Sequence, residues 1–131
     1  MDELETIMGV DELDIYCHFT DKDPELILNQ GLYSAEEDPY TTLLKLSDEE
    51  KHNLKEFIQR EKSVPTALNF RDNAIIVAVP KEDNNTFIAK SNNPDMPYII
   101  NNEYVVASID TRDYKIIINE LALAWDFVLY R

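Results

Sequence analysis

The sequence predicts an α+β domain, with helices in its first half and a mostly antiparallel sheet after them. Three observations carry this. A capping box opens an amphipathic stretch near residue 47, an apolar run AIIVAV fills 74–79, and β-rich runs separated by turn residues follow it. The 131 residues suffice for one compact domain, and 44% apolar with 29% charged residues is a globular composition.

Residues 1–13 lack a sustained period and read as an acidic N-terminal arm or a short helix, leaving 14–131 as the domain. In DIYCHFT, Ile15, Cys17 and Phe19 alternate with Tyr16, His18 and Thr20, the period of a half-buried strand. Asp23 as N-cap, Pro24 at the first helical position and Gly31 just past the end frame a short helix, with Leu26, Ile27 and Leu28 to dock on that strand. Residues 32–46 mix turn signals with leucines and define no element. Ser47 and Glu50 form the capping box of the next helix; Leu54, Phe57 and Ile58 supply its stripe, and Arg60 and Lys62 its basic end.

AIIVAV reads as a central strand covered on both faces. TFIAKS (86–91), YIINNEYVVASI (98–109) and YKIII (114–118) read as further strands, separated by SNNPDMP and DTRD. The tail ELALAWDFVLYR alternates at Leu121, Leu123, Trp125, Phe127 and Leu129 and is predicted as a strand, with a short terminal helix as the alternative.

Composition excludes several chemistries. A single cysteine, Cys17, allows no intramolecular disulfide and no cysteine zinc knuckle. Two glycines, Gly9 and Gly31, cannot build GxGxxG or a P-loop, and two histidines in different elements make no metal cluster, so no metal is expected. The N-terminus is acidic where a signal peptide would be basic, and no apolar run approaches a membrane span, so a cytoplasmic protein without membrane contact is expected. The net charge is −14. Residues 1–62 carry 17 acidic against 6 basic side chains, net −11, and residues 63–131 carry 9 against 6, net −3. Non-specific nucleic-acid binding is therefore disfavoured, and a partner meeting the first half is expected to be basic or uncharged.

Two polar residues stand out. His18 shares a strand face with Tyr16 and Thr20. Glu103 lies inside a strand-like run with Asn101 on its face, and a carboxylate there must meet solvent, a cleft or a partner. His52, on the capped helix, is explained by a solvated face.

Together these residues resemble a family. I-Y-C-H-F-T followed by D-P-E-L-I-L-N-Q-G-L, residues 15–32, resembles the opening strand and helix of the ADP-ribosyltransferase fold, and N-N-E-Y-V-V, residues 101–106, resembles the strand bearing that family's catalytic glutamate. The resemblance implies a mostly antiparallel split sheet, with NAD as substrate and no metal. It further implies that His18 hydrogen-bonds the ribose on the adenosine side, that the Phe19 backbone holds the nicotinamide carboxamide, and that Thr20 supports the pocket. Glu103 would hydrogen-bond the 2′-hydroxyl of the nicotinamide ribose and stabilise the oxocarbenium-like charge as nicotinamide leaves. Because that leaving group is already cationic, the protein must chiefly orient the dinucleotide and place one negative charge near the sugar.

Tyr33 and Tyr40 are candidate aromatic walls, and S-V-P-T at 63–66 is a loose substitute for the family's serine motif. Phe19 stands where many relatives have glycine, which tightens the nicotinamide pocket or alters it. Lys22, Arg71 and Lys90 are the cations available to offset repulsion of the pyrophosphate. Asn101 occupies the acceptor-side position that is acidic in the arginine-modifying branch, which argues against arginine as acceptor.

The implied function is mono-ADP-ribosyl transfer to a protein with a basic surface, as a small effector, toxin or phage-encoded modifier would perform. The alternative is a catalytically inactive binding protein on the same fold, docking a basic or nucleic-acid-binding protein through its acidic surface. The resemblance implies that His18 and Glu103 line one cleft from neighbouring strands, and it loses its functional meaning if they face opposite sides of the sheet.

Overall fold

The computed structural model describes residues 2–60, 72–110, 112 and 115–129. In chain order the helices and strands are α1 (Asp2–Ile7), β1 (Leu13–Thr20), α2 (Pro24–Gln30), β2 (Leu32–Ser34), β3 (Leu44–Lys45), α3 (Asp48–Arg60), β4 (Asn73–Pro80), β5 (Ile88–Lys90), β6 (Tyr98–Ile100), β7 (Val105–Asp110), β8 (Ile116–Ile118) and α4 (Asp126–Leu129). Short 3₁₀ turns join several of them. The result is an α+β fold with helices concentrated in the first half and two antiparallel sheets, a five-stranded one ordered β3-β1-β4-β7-β8 and a three-stranded one ordered β2-β6-β5.

β4 is central because it has no polar face. Every residue from Asn73 to Pro80 is buried, and the strand pairs with β1 along its whole length and with β7 over most of it. Each fully buried Ile or Val there contributes about 1.5–3 kcal/mol. Its two faces serve two cores. Ile76 and Ala78 join Ile15, Cys17, Leu54, Ile109 and Trp125 on one side, whereas Ile75, Val77 and Val79 join Tyr16, Ile27, Leu28, Leu32, Ile100 and Val105 on the other. Burial pushes the Cys17 thiol well above its ordinary pKa, so it is a neutral core group.

The caps read from the sequence form. Asp23 accepts from the Glu25 N–H, and Gly31 closes α2 by donating to the Ile27 carbonyl. The Ser47 hydroxyl accepts from the Glu50 N–H while the Glu50 carboxylate accepts from the Ser47 N–H, which makes the capping box reciprocal.

Two expectations are corrected. The run 98–109 is not one strand: β6 belongs to the small sheet, β7 to the large one, and a 3₁₀ turn, Asn102–Tyr104, joins them. Local β propensity was satisfied by two short strands once the chain had a place to cross between sheets. The tail is not a strand. A 3₁₀ turn at Leu123–Trp125 leads into α4, because Trp125 caps Asn119 through its indole N–H and seals the helical core instead of extending an edge. Of the two alternatives for the acidic N-terminal stretch, the short helix forms: α1 buries Leu4 and Ile7 in that same core.

Candidate functional site

His18 projects from β1 onto the face opposite α1 and α3, since it pairs with Ile75, a member of the second core. There the small sheet stops short of covering β1 completely. A cavity of about 240 Å³ remains, lined from the large sheet by His18, from the loop after β1 by Lys22, and from the small sheet by Leu32, Tyr33, Ser34, Ile88, Tyr98, Ile99 and Ile100. Ala35, Glu36, Pro39, Thr42 and Met96 complete its lining. His18 is half-buried, and its Nδ1 lies 3.0 Å from the Thr42 carbonyl oxygen. Lys22 brings one cation to the same cavity, in a chain of net charge −14.

A second, open depression of about 460 Å³ adjoins the first and shares Tyr33 and Ile99 with it. Lys90, Ser91, Asn92, Asn93 and Asn101 form the rest of its lining, which contains no carboxylate.

The other residues singled out from the sequence fall as follows. Thr20 is buried, and its Oγ1 accepts from the Lys22 N–H, shaping the turn that brings Lys22 to the cavity. The Phe19 side chain lies on the opposite face of β1, packed against the helical core. Its peptide groups point to the β3 side of the strand, because Ile15, of the same parity, accepts there from the Leu46 N–H. Tyr40 lines neither depression. It donates to the Asn84 carbonyl and meets Phe87 edge-on at 5.5 Å. Asn101 lies in the second depression with Tyr33 and Lys90. Arg71 and the S-V-P-T segment lie outside the described residues.

Glu103 sits in the 3₁₀ turn between the two sheets, half-buried, and lines neither depression. It is not on a strand neighbouring His18, because β4 lies between β1 and β7. Ser108 faces Ile75, which faces His18, and Glu103 comes five residues before Ser108. At about 4.8 Å per strand spacing and about 3 Å per residue, two spacings across and five residues along put the His18 and Glu103 Cα atoms on the order of 18 Å apart. The single cleft expected between neighbouring strands is therefore not formed, and contact with both residues takes an extended ligand and not a single sugar.

Sequence reasoning missed Asn119. This residue is buried, and its side-chain amide donates to the Asn102 carbonyl at 2.7 Å and to the Val105 carbonyl at 2.8 Å. Its one legible signal was an asparagine directly after the isoleucine run of β8. Comparison with protein-family models, with curated proteins and with solved structures finds no match. Among the described residues no group of three or more His, Cys, Asp or Glu converges as a metal site requires, and no helix is long and apolar enough to cross a membrane.

Proposed function

We propose that this chain is an NAD-dependent mono-ADP-ribosyltransferase acting on a macromolecular, protein acceptor. One observation supports it above the rest: His18 and Lys22 share a cavity with a wall, Ile99–Ile100, that runs within three residues into Glu103. In this reading His18 and Lys22 bind the adenosine ribose and the diphosphate. Glu103 contacts the nicotinamide ribose, about one dinucleotide span away, and places a negative charge where the oxocarbenium-like charge develops. The cavity volume of 240 Å³ is below the usual ~300–1,000 Å³ of a small-molecule site, so in this reading the dinucleotide extends out of it, past the open depression, to reach Glu103 beyond both. Asn101, in that depression, sits on the acceptor side.

The test is incubation of the purified chain with labelled NAD and a cell extract. Transfer of label to a macromolecule, lost in Glu103→Gln, is the expected result. If neither protein hydrolyses NAD nor labels anything, the enzyme reading fails.

A second reading is favoured by Glu103 lying outside both depressions. In it the chain is a catalytically inactive relative that docks a basic protein through its acidic half. Binding would then survive Glu103→Gln, fall with salt, and weaken when acids within 36–50 are neutralised. Binding that persists after that neutralisation would exclude it.

A further inference from the structure

We infer that Asn119 is the positioning residue of this site, holding the turn that carries Glu103; the inference rests on the transferase reading above. Every hydrogen-bonding group of its side chain is committed. The two amide protons go to the carbonyl oxygens of Asn102 and Val105, which bracket Glu103 in the chain, and Oδ1 accepts from the Leu121 N–H at 3.2 Å. The Asn119 backbone N–H adds a bond to the Val106 carbonyl at 2.8 Å, so one residue donates to three carbonyls from 102–106.

These carbonyls need a partner because the ladder is broken there. Ile76 faces Ala107 but Val77 faces Val105, so Val106 is an extra residue in β7 and the strand is bulged. A bulge re-aims the side chains next to it. Were β7 to return to regular pairing, Val106 would face Val77, and everything before it would move by one residue. Glu103 would shift by about 3.3 Å and its side chain would turn to the other face. A shift of even ~1 Å can cost on the order of 10²-fold in rate, so the bulge must be held. From the other side, Asn102 donates to the Asn29 carbonyl at the end of α2, which fixes the turn against the helix.

Asn119 also carries a reporter of its own integrity. Its backbone carbonyl accepts from the indole N–H of Trp125 at 2.6 Å, a bond that side-chain substitution leaves in place, and Trp125 is the sole tryptophan. The experiment is steady-state NAD hydrolysis by the full chain, with Trp125 emission followed in each variant. Asn119→Ala is expected to lower kcat on the order of 10²-fold, to leave KM for NAD within about twofold because the His18 end is untouched, and to keep the emission of a buried indole. Combined with Glu103→Gln it should cause no further loss in residual rate, since both changes remove the same placed carboxylate.

Full additivity with Glu103→Gln, an unchanged kcat, or a loss confined to KM would overturn the positioning role while leaving the transferase reading standing. A wild-type chain that never turns over NAD would overturn both. Should Asn119→Ala unfold, as an exposed-indole emission would reveal, Asn119→Ser retains one donor and decides instead: an intermediate kcat supports the role, and wild-type kcat refutes it.

Discussion

His18 Nδ1 lies 3.0 Å from the carbonyl oxygen of Thr42, and that single contact selects the tautomer of the neutral ring. A carbonyl only accepts, so Nδ1 carries the proton and Nε2 is the acceptor of the neutral ring. The His18→Asn variant keeps a donor near the Nδ1 position and removes Nε2. It should hold stability within about 0.5 kcal/mol and weaken NAD binding by about tenfold. His18→Gln does the reverse, losing the Thr42 bond at a cost of about 1 kcal/mol. Calorimetric titration with NAD, beside urea midpoints, separates the two; NAD binding unaltered in His18→Asn would remove Nε2 from the site.

The crossing between sheets also depends on Gly31. Its φ is +93° and ψ 174°, a region essentially reserved for glycine, and a Cβ there would stand 2.6 Å from the Ile100 carbonyl oxygen and 3.3 Å from the Asn102 nitrogen. Both neighbours are backbone, so neither can swing aside. The Gly31→Ala change should cost about 2–4 kcal/mol, combining backbone strain and overpacking. It should also disturb the Asn102–Tyr104 turn, visible as lower Tm and reduced amide protection around 99–105. A variant as stable as wild type would show that the loop relaxes freely.

How far the fold was legible follows from where its signals were local. The α2 frame of Asp23, Pro24 and Gly31 and the Ser47–Glu50 box are short-range chemistry, and both formed as read. The uniform run of β4 announced its central place for the same reason. What the sequence hid was long-range. Nothing near Asn101 shows that the chain changes sheets there, because the cause is Asn119 and the bulge at Val106. The alternation of the tail was likewise overridden by burial of Trp125. His18 was findable as a polar residue on an alternating strand, but the cavity beside it depends on β2 and β6, whose three-residue length carries no period.

Ser108 is the one buried side-chain polar atom without a hydrogen-bond partner among the described residues, at 1% exposure on the face of β7 shared with Ile75. An unpaired buried hydroxyl costs about 1–3 kcal/mol. Ser108→Ala removes that cost at the loss of one small atom, so it should raise stability by about 1 kcal/mol, or about 4 °C in Tm for a domain of this size. A drop of more than about 0.5 kcal/mol in the denaturant midpoint would show that the hydroxyl is satisfied after all.

Tyr104 couples the same turn to alkaline stability. Burial, chiefly, pushes its phenol up to about 12, aided by the hydrogen bond it donates to Asp83 at 3.0 Å and by the charges of Asp83 and Glu103. Tyr16 moves in the same direction through burial and the nearby Asp14. For a group whose folded pKa lies above its unfolded value of about 10, the native state holds more protons between the two, so stability falls as pH rises. The contribution is whole below pH ~10 and is lost on passing about 12, a loss of about 2 kcal/mol between pH 9 and 11.5 for Tyr104 alone. Tyr104→Phe should be less stable at pH 7 by about 1 kcal/mol, having lost the bond to Asp83. It should also be markedly flatter in stability from pH 9 to 11.5. Urea unfolding at a series of pH values checks both, and parallel curves for the two proteins would place the alkaline transition elsewhere in the fold.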